Sequence, residues 1–326
     1  MRPRVPGAYL ILLVFFALLA GAAAQEPRDS SRDAAPSGET PPGPSGLNLR
    51  VDTTLVVIPV TVTDSSNRFV LGLEKDDFTL SEDGIEQKVT QFAGEDAPLS
   101  VGLLVDTSGS MGSKLETSRK AVAQFLRTMN KQDEVFLIEF SDRAELLSGF
   151  STDPRMIQDK LASAESQGLT ALLDAVSTGL REMKKAKNPR KALLIISDGG
   201  DNNSRYTAPE INQLVREADV QVYSMGVFEP FPLLGLTAAE MSGPKLLSQI
   251  SEQTGGRAFA VKTDRDLPAI ASRIGIELRN QYVLAYAPSN HNKDGKYRRV
   301  EVKLKPPQGL PQLKARWRLG YYAPAD

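Results

Sequence analysis

Between residues 97 and 279, short apolar runs alternate with segments of helical period. Residues 101–105 are an uninterrupted apolar run and predict a buried strand. A polar, Gly-rich turn follows Asp106. Beyond it Leu115, Val122, Phe125, Leu126 and Met129 share one helical face. Residues 134–140 read as the next strand and 145–150 as its antiparallel hairpin neighbour. Helices are predicted over 154–164 and 171–186, a buried strand over 192–196, a helix over 209–218 and a strand over 220–227. A helix over 244–253, a short strand over 256–261 and a helix over 267–278 complete the series. This order is that of a doubly wound, Rossmann-like α/β sheet.

On either side the period drops to two. Val56, Ile58, Val60 and Val62 alternate with Leu55, Val57, Pro59, Thr61 and Thr63, a long strand that is apolar on much of both faces. Phe69, Val70 and Leu71 resume after a turn at Asp64-Ser65-Ser66-Asn67. Phe78 and Leu80 lead into the hairpin turn Glu82-Asp83-Gly84, with Val89 and Phe92 beyond. A sheet of about 45 residues cannot bury both faces unaided. Residues 282–286, 297–304 and 313–321 supply further strand-like segments near the other end. Two arrangements follow: the α/β domain is inserted in one β-sandwich-like domain, or it is flanked by two separate β flaps. The expected boundaries are 48–96 and 280–326 for the β segments and 97–279 for the α/β domain.

The chemistry gathers where the first α/β strand ends. Asp106, Ser108 and Ser110 occupy alternate positions, so their oxygens can converge on one point. One carboxylate and two hydroxyls are a hard-oxygen set, suited to Mg²⁺ or a similar cation rather than zinc. The Asp-x-Ser-x-Ser pattern at a strand end resembles the metal-ion-dependent adhesion site of von Willebrand factor type A domains. The element order over roughly residues 97 to 279 fits that family as well. The resemblance implies two further site residues, each on its own loop. These are Thr170, in Gln167-Gly168-Leu169-Thr170, and Asp198, in Ile195-Ile196-Ser197-Asp198-Gly199. The family usually has a Gly pair before this Thr, whereas here Gln167 replaces one Gly and Leu169 is inserted. It further implies that Ser108, Ser110 and sometimes Thr170 bind Mg²⁺ (or Mn²⁺ or Ca²⁺) directly, with Asp106 and Asp198 often acting through water. A partner protein's Asp or Glu carboxylate then completes the coordination. In the alternative reading, the metal only stabilises the fold. Asp201 and Asn202 lie close by, either as supporting groups or in a solvated loop.

Composition narrows the rest. The formal net charge of −1 and the lack of a strongly basic half give nucleic-acid binding no support. Enzyme readings fail on specific residues. A haloacid-dehalogenase-type phosphatase needs an Asp where Ser108 stands, and a triad hydrolase needs a His near the sheet edge. The one histidine, His291, falls in a predicted turn of the β region. No Gly-rich phosphate loop precedes a helix. At the N-terminus, Arg2 and Arg4, an apolar stretch over 9–19 and Ala22-Ala23-Ala24 match a secretory signal peptide over 1–24. An uncleaved anchor is the alternative. Residues 25–47, with five prolines among Ser, Gly and charged residues, read as a disordered linker. No later segment has the length and apolarity of a membrane span. The expected location is exported: periplasm, cell surface or extracellular space. Finally, residues 228–236 carry Phe228, Phe231, Leu233 and Leu234 in a connection expected on the same sheet edge as Asp106, which makes these four candidate partner contacts.

Overall fold

The computed structural model describes residues 55–325 apart from 95–96, 229–236, 306–308 and 310–311. The expected signal peptide, the linker and the candidate contacts Phe231, Leu233 and Leu234 lie outside the described residues.

Four strands precede the α/β region: β1 (Val56–Thr63), β2 (Phe78–Glu82), β3 (Ile85–Gln87) and β4 (Val89–Ala93). Then come β5 (Leu99–Asp106), α1 (Leu115–Leu126), β6 (Glu134–Phe140), β7 (Ala144–Ser151), α2 (Pro154–Ala162) and α3 (Leu172–Met183). They are followed by β8 (Arg190–Ser197), α4 (Ala208–Glu217), β9 (Gln221–Val227), α5 (Ala238–Glu252), β10 (Ala258–Val261) and α6 (Leu267–Arg279). The last strands are β11 (Tyr282–Tyr286), β12 (Tyr297–Leu304), β13 (Lys314–Trp317) and β14 (Gly320–Tyr322).

The central sheet has the order β10-β9-β8-β5-β6-β7, parallel except for β7. Residues of β5 are buried along its whole length because the sheet is covered on both faces. Val101, Leu103 and Val105 pack with α1, α2 and α6 through Phe125, Leu161 and Ile274. Leu104 packs on the opposite side with α3, α4 and α5 through Val176, Val215 and Leu247. One-residue alternation along the strands thus feeds two helical layers. The fold class is α/β and doubly wound, with two additional β-sheets.

Those two sheets draw strands from both ends of the described chain. One has the order β13-β1-β11-β4 and the other β14-β12-β2-β3. Val62, Phe78 and Leu80 from before the α/β region share a core with Leu284, Val300 and Tyr321 from after it.

Three local expectations differ from the structure. Residues 313–321 do not make one strand. They break at Arg318-Leu319 into β13 and β14, which belong to different sheets, with Arg318 turned inward to donate to the Arg216 carbonyl at 2.6 Å. Phe69-Val70-Leu71 makes a single bridge from Phe69 rather than a strand. The Tyr282 hydroxyl captures this stretch, donating to the Val70 carbonyl and accepting from the Leu73 amide. Helix α5 starts six residues before the expected position, so Pro244 lies inside it. A Thr237/Glu240 capping box closes its first turn and fixes that earlier start.

Candidate metal centre

The parallel strands β5 and β8 are neighbours, and the chain leaves them in opposite lateral directions, to β6 and to β9. The crevice at their carboxyl ends is the topological switch point, where open α/β sheets hold ligands. Asp106 ends β5, and Asp198 follows Ser197 at the end of β8.

The first loop is built on itself. The Asp106 Oδ1 accepts from the Ser108 amide at 2.9 Å, and the Ser108 and Ser110 hydroxyls stand 3.1 Å apart. The alternation that points these oxygens one way is therefore locked by a local Asx turn. A single 3₁₀ stretch, Gly109–Lys114, then carries the chain into α1.

The Thr170 loop is stitched to the first by backbone. The Gln167 amide donates to the Thr107 carbonyl at 2.9 Å, and the Gly109 amide to the Gly168 carbonyl at 3.0 Å. Gly168 has φ +78°, and the Asp142 carboxylate occupies the space a Cβ would need there. This is the physical reason for glycine at that position. Thr170 is itself held by Asn202, whose side-chain oxygen accepts from the Thr170 amide at 2.8 Å. Asp201 accepts from the Leu173 amide at the start of α3, and burial pushes its pKa up. Both residues therefore brace the Thr170 loop.

The Asp198 loop joins at two points. The Ser197 hydroxyl donates to Asp106 Oδ2 at 2.5 Å and accepts from the Gly199 amide. Lys114 donates to Asp198 Oδ2 at 2.7 Å, and the Gly200 amide to Asp198 Oδ1 at 3.1 Å. Behind this loop, Gly199 (φ +83°) lies against the Gly243 backbone of α5 so closely that neither position has room for a Cβ.

Asp106, Ser108, Thr170 and Asp198 are buried, whereas Ser110 is half-buried. Burial pushes the Asp106 pKa up to about 6, against its hydrogen bonds to Ser108 and Ser197, and the nearby Asp198 charge adds to the rise. Among the described residues no group of three or more His, Cys, Asp and Glu side chains converges on one point. The donors gathered here are two carboxylates and neutral hydroxyls, a set that fits a hard divalent cation.

Lys114, Ser166 and Ser197 escaped the sequence reading, whereas Asn202 was among its candidate supporting groups. Ser166 donates to the Ser108 carbonyl. The partners of Lys114, Ser166 and Ser197 lie between 58 and 91 residues away, so no local pattern announces them. Phe228, named as a partner contact, is half-buried, packed on the α3–α5 side of the core and over Gly226. Replacing Ser197 with Ala strips a donor from the buried Asp106 carboxylate. The expected cost is about 1–3 kcal/mol of stability in chelator, read by thermal unfolding.

Residues 101–200 match the family model of the von Willebrand factor type A domain. A protein of Borreliella burgdorferi is 24% identical over 189 residues, covering 52% of this chain and 55% of that protein. The human inter-alpha-trypsin inhibitor heavy chain H3 is 25% identical over 182 residues, covering 52% of this chain and 20% of that one. The chain thus spans little more than half, or less, of these relatives. A solved structure, von Willebrand factor type A from Catenulispora acidiphila, superposes with a TM-score of 0.49 at 12% identity, covering 85% of this chain and 75% of that one.

Proposed function

Because this chain carries a von Willebrand factor type A domain, we propose that it is an exported, metal-dependent protein-binding module. In this reading Ser108, Ser110 and Thr170 hold a Mg²⁺ or Mn²⁺ ion, with Asp106 and Asp198 as its charge partners. When bound, the ion supplies a Lewis-acidic position that a partner's Asp or Glu carboxylate fills. The observation that carries the reading is the hydrogen-bonded meeting of three loops at the carboxyl ends of β5 and β8. Their oxygens are hard donors, and the buried Asp106 carboxylate is held by the Ser108 amide and the Ser197 hydroxyl. In this reading the site binds rather than catalyses, and among the described residues no histidine stands beside these oxygens. His291 is exposed in the β11–β12 connection. Export rests on Arg2, Arg4, the apolar stretch and Ala22-Ala23-Ala24.

The burial of four of the five oxygen-bearing residues favours a second reading, in which the ion only braces the loops. One experiment separates the two. The folded protein is immobilised and exposed to exported proteins of the same organism, in Mg²⁺ and in chelator. The binding reading expects retention that requires Mg²⁺ and is lost in Asp106→Ala. Equal retention in chelator and in Mg²⁺ would leave only the bracing role.

A further inference from the structure

The residue types at the candidate centre, two carboxylates and three hydroxyls, leave a divalent ion just neutralised. The structure adds a charge to that count. Lys114 closes the 3₁₀ stretch after Ser110, and from there its side chain turns back across the crevice to Asp198. The contact is short, 2.7 Å, and sheltered, with the two side chains 13% and 4% exposed. An ion pair this well removed from water is only weakly screened. The protein therefore presents Asp106, Asp198 and Lys114 together, a net charge of one negative rather than two. A divalent ion held by these loops leaves the assembly one unit positive.

We propose that Lys114 is an internal counter-cation, which weakens the metal affinity of the site and leaves the loaded site electropositive, so that its open position selects an anionic group. This rests on the metal-binding reading above. It explains why a surface carboxylate, rather than water alone, is the expected occupant of that position. The ammonium competes for Asp198 and repels the incoming ion, and both effects lower affinity. The competing role for Lys114 is to tie the Asp198 loop in place. In that case its loss loosens a ligand and weakens metal binding. The two roles predict opposite signs.

The test measures Mn²⁺ binding by calorimetry at fixed ionic strength in the full chain and in Lys114→Met, Lys114→Gln and Lys114→Arg. Lys114→Met keeps the aliphatic stem without the charge, and Lys114→Gln keeps a hydrogen-bond donor without it. Both are expected to bind Mn²⁺ about tenfold more tightly than the parent. Lys114→Arg retains the charge and should stay close to the parent. Melting temperatures in chelator check that each variant is folded, and the second neutral variant carries the test if the first is not. Unchanged or weaker Mn²⁺ binding by the folded neutral variants, in a parent that does bind Mn²⁺, overturns the role of Lys114 alone. A parent that binds no Mn²⁺ overturns the metal reading and this inference with it.

Discussion

If the proposed site holds metal, Asp106→Ala is expected to abolish binding of Mg²⁺ and Mn²⁺ while the α/β sheet stays folded. The loss is expected because Asp106 is the carboxylate around which the first loop is wound. Its Oδ1 holds the Ser108 amide, and its Oδ2 holds the Ser197 hydroxyl of the neighbouring strand. Without it the hydroxyls of Ser108 and Ser110 lose their fixed direction, and the site loses half of its acidic charge. Folding should survive because Asp106 is the last residue of β5, beyond the apolar packing of Leu103, Leu104 and Val105. Removing it relieves the burial of a carboxylate but leaves two donors without partners, and the two effects oppose each other. Calorimetry with far-UV dichroism as the folding control decides the matter. Undiminished metal affinity in the folded variant would remove Asp106 from the site. Unfolding of the variant would show that Asp106 holds the sheet edge together.

The other large effect is expected in the core shared by the two flanking β-sheets. Glu82 on β2 is 2% exposed, and its Oε2 accepts from the hydroxyls of Tyr286 on β11 and Tyr321 on β14, at 2.7 and 2.8 Å. Arg298 on β12, equally buried, places Nη1 3.7 Å from Glu82 Oε1. One residue from the first β region thus anchors three from the last. Glu82→Ala removes the buried carboxylate beside Arg298, which keeps its ion pair with Asp294 at 3.1 Å, and leaves two buried phenols without an acceptor. The expected cost is about 2–5 kcal/mol, mainly for the unpaired phenols. Thermal unfolding in chelator measures it, and a change under about 1 kcal/mol would show that the cluster relaxes freely. On the same interleaving, a fragment of residues 48–96 is expected not to fold alone, whereas 97–279, with a core on each face of its sheet, should melt cooperatively. A cooperatively melting 48–96 fragment would contradict this.

The fold class was legible because buried parallel strands have a loud signature. Residues 101–105 and 192–196 are apolar without a break, and between them the period changes to that of helices. What stayed illegible depended on distant partners. The stretch 313–321 has a uniform strand-like texture, and nothing in it marks Arg318 as the point where the chain changes sheets. The attraction lies in the Arg216 carbonyl, about a hundred residues earlier. Likewise Val70 looks like strand material until the Tyr282 hydroxyl claims its carbonyl. At the candidate centre, the Asp-x-Ser-x-Ser turn is visible because it is a local hydrogen-bonded unit. Lys114 and Ser197 act across the crevice, and only the register of β5 beside β8 reveals them.

The α/β region is entered after β4 and left before β11, and those two strands are hydrogen-bonded neighbours in one flanking sheet with Ala93 opposite Val283. Its entry and exit are therefore about 5 Å apart, the ordinary spacing of paired strands. Gln281, just before β11, hydrogen-bonds to Gln221 at the start of β9, and Arg190 at the start of β8 donates to the Gln281 carbonyl. The attachment is thus at the amino ends of the parallel strands, while Asp106 and Asp198 lie at their carboxyl ends. Mechanically this is a hilt rather than a leash. A domain on one flexible tether swivels and spins, but one rooted in two adjacent paired strands resists torque. A pull applied at the Asp106 edge is therefore expected to load the hydrogen-bonded β4–β11 pair, at the opposite end of the parallel strands.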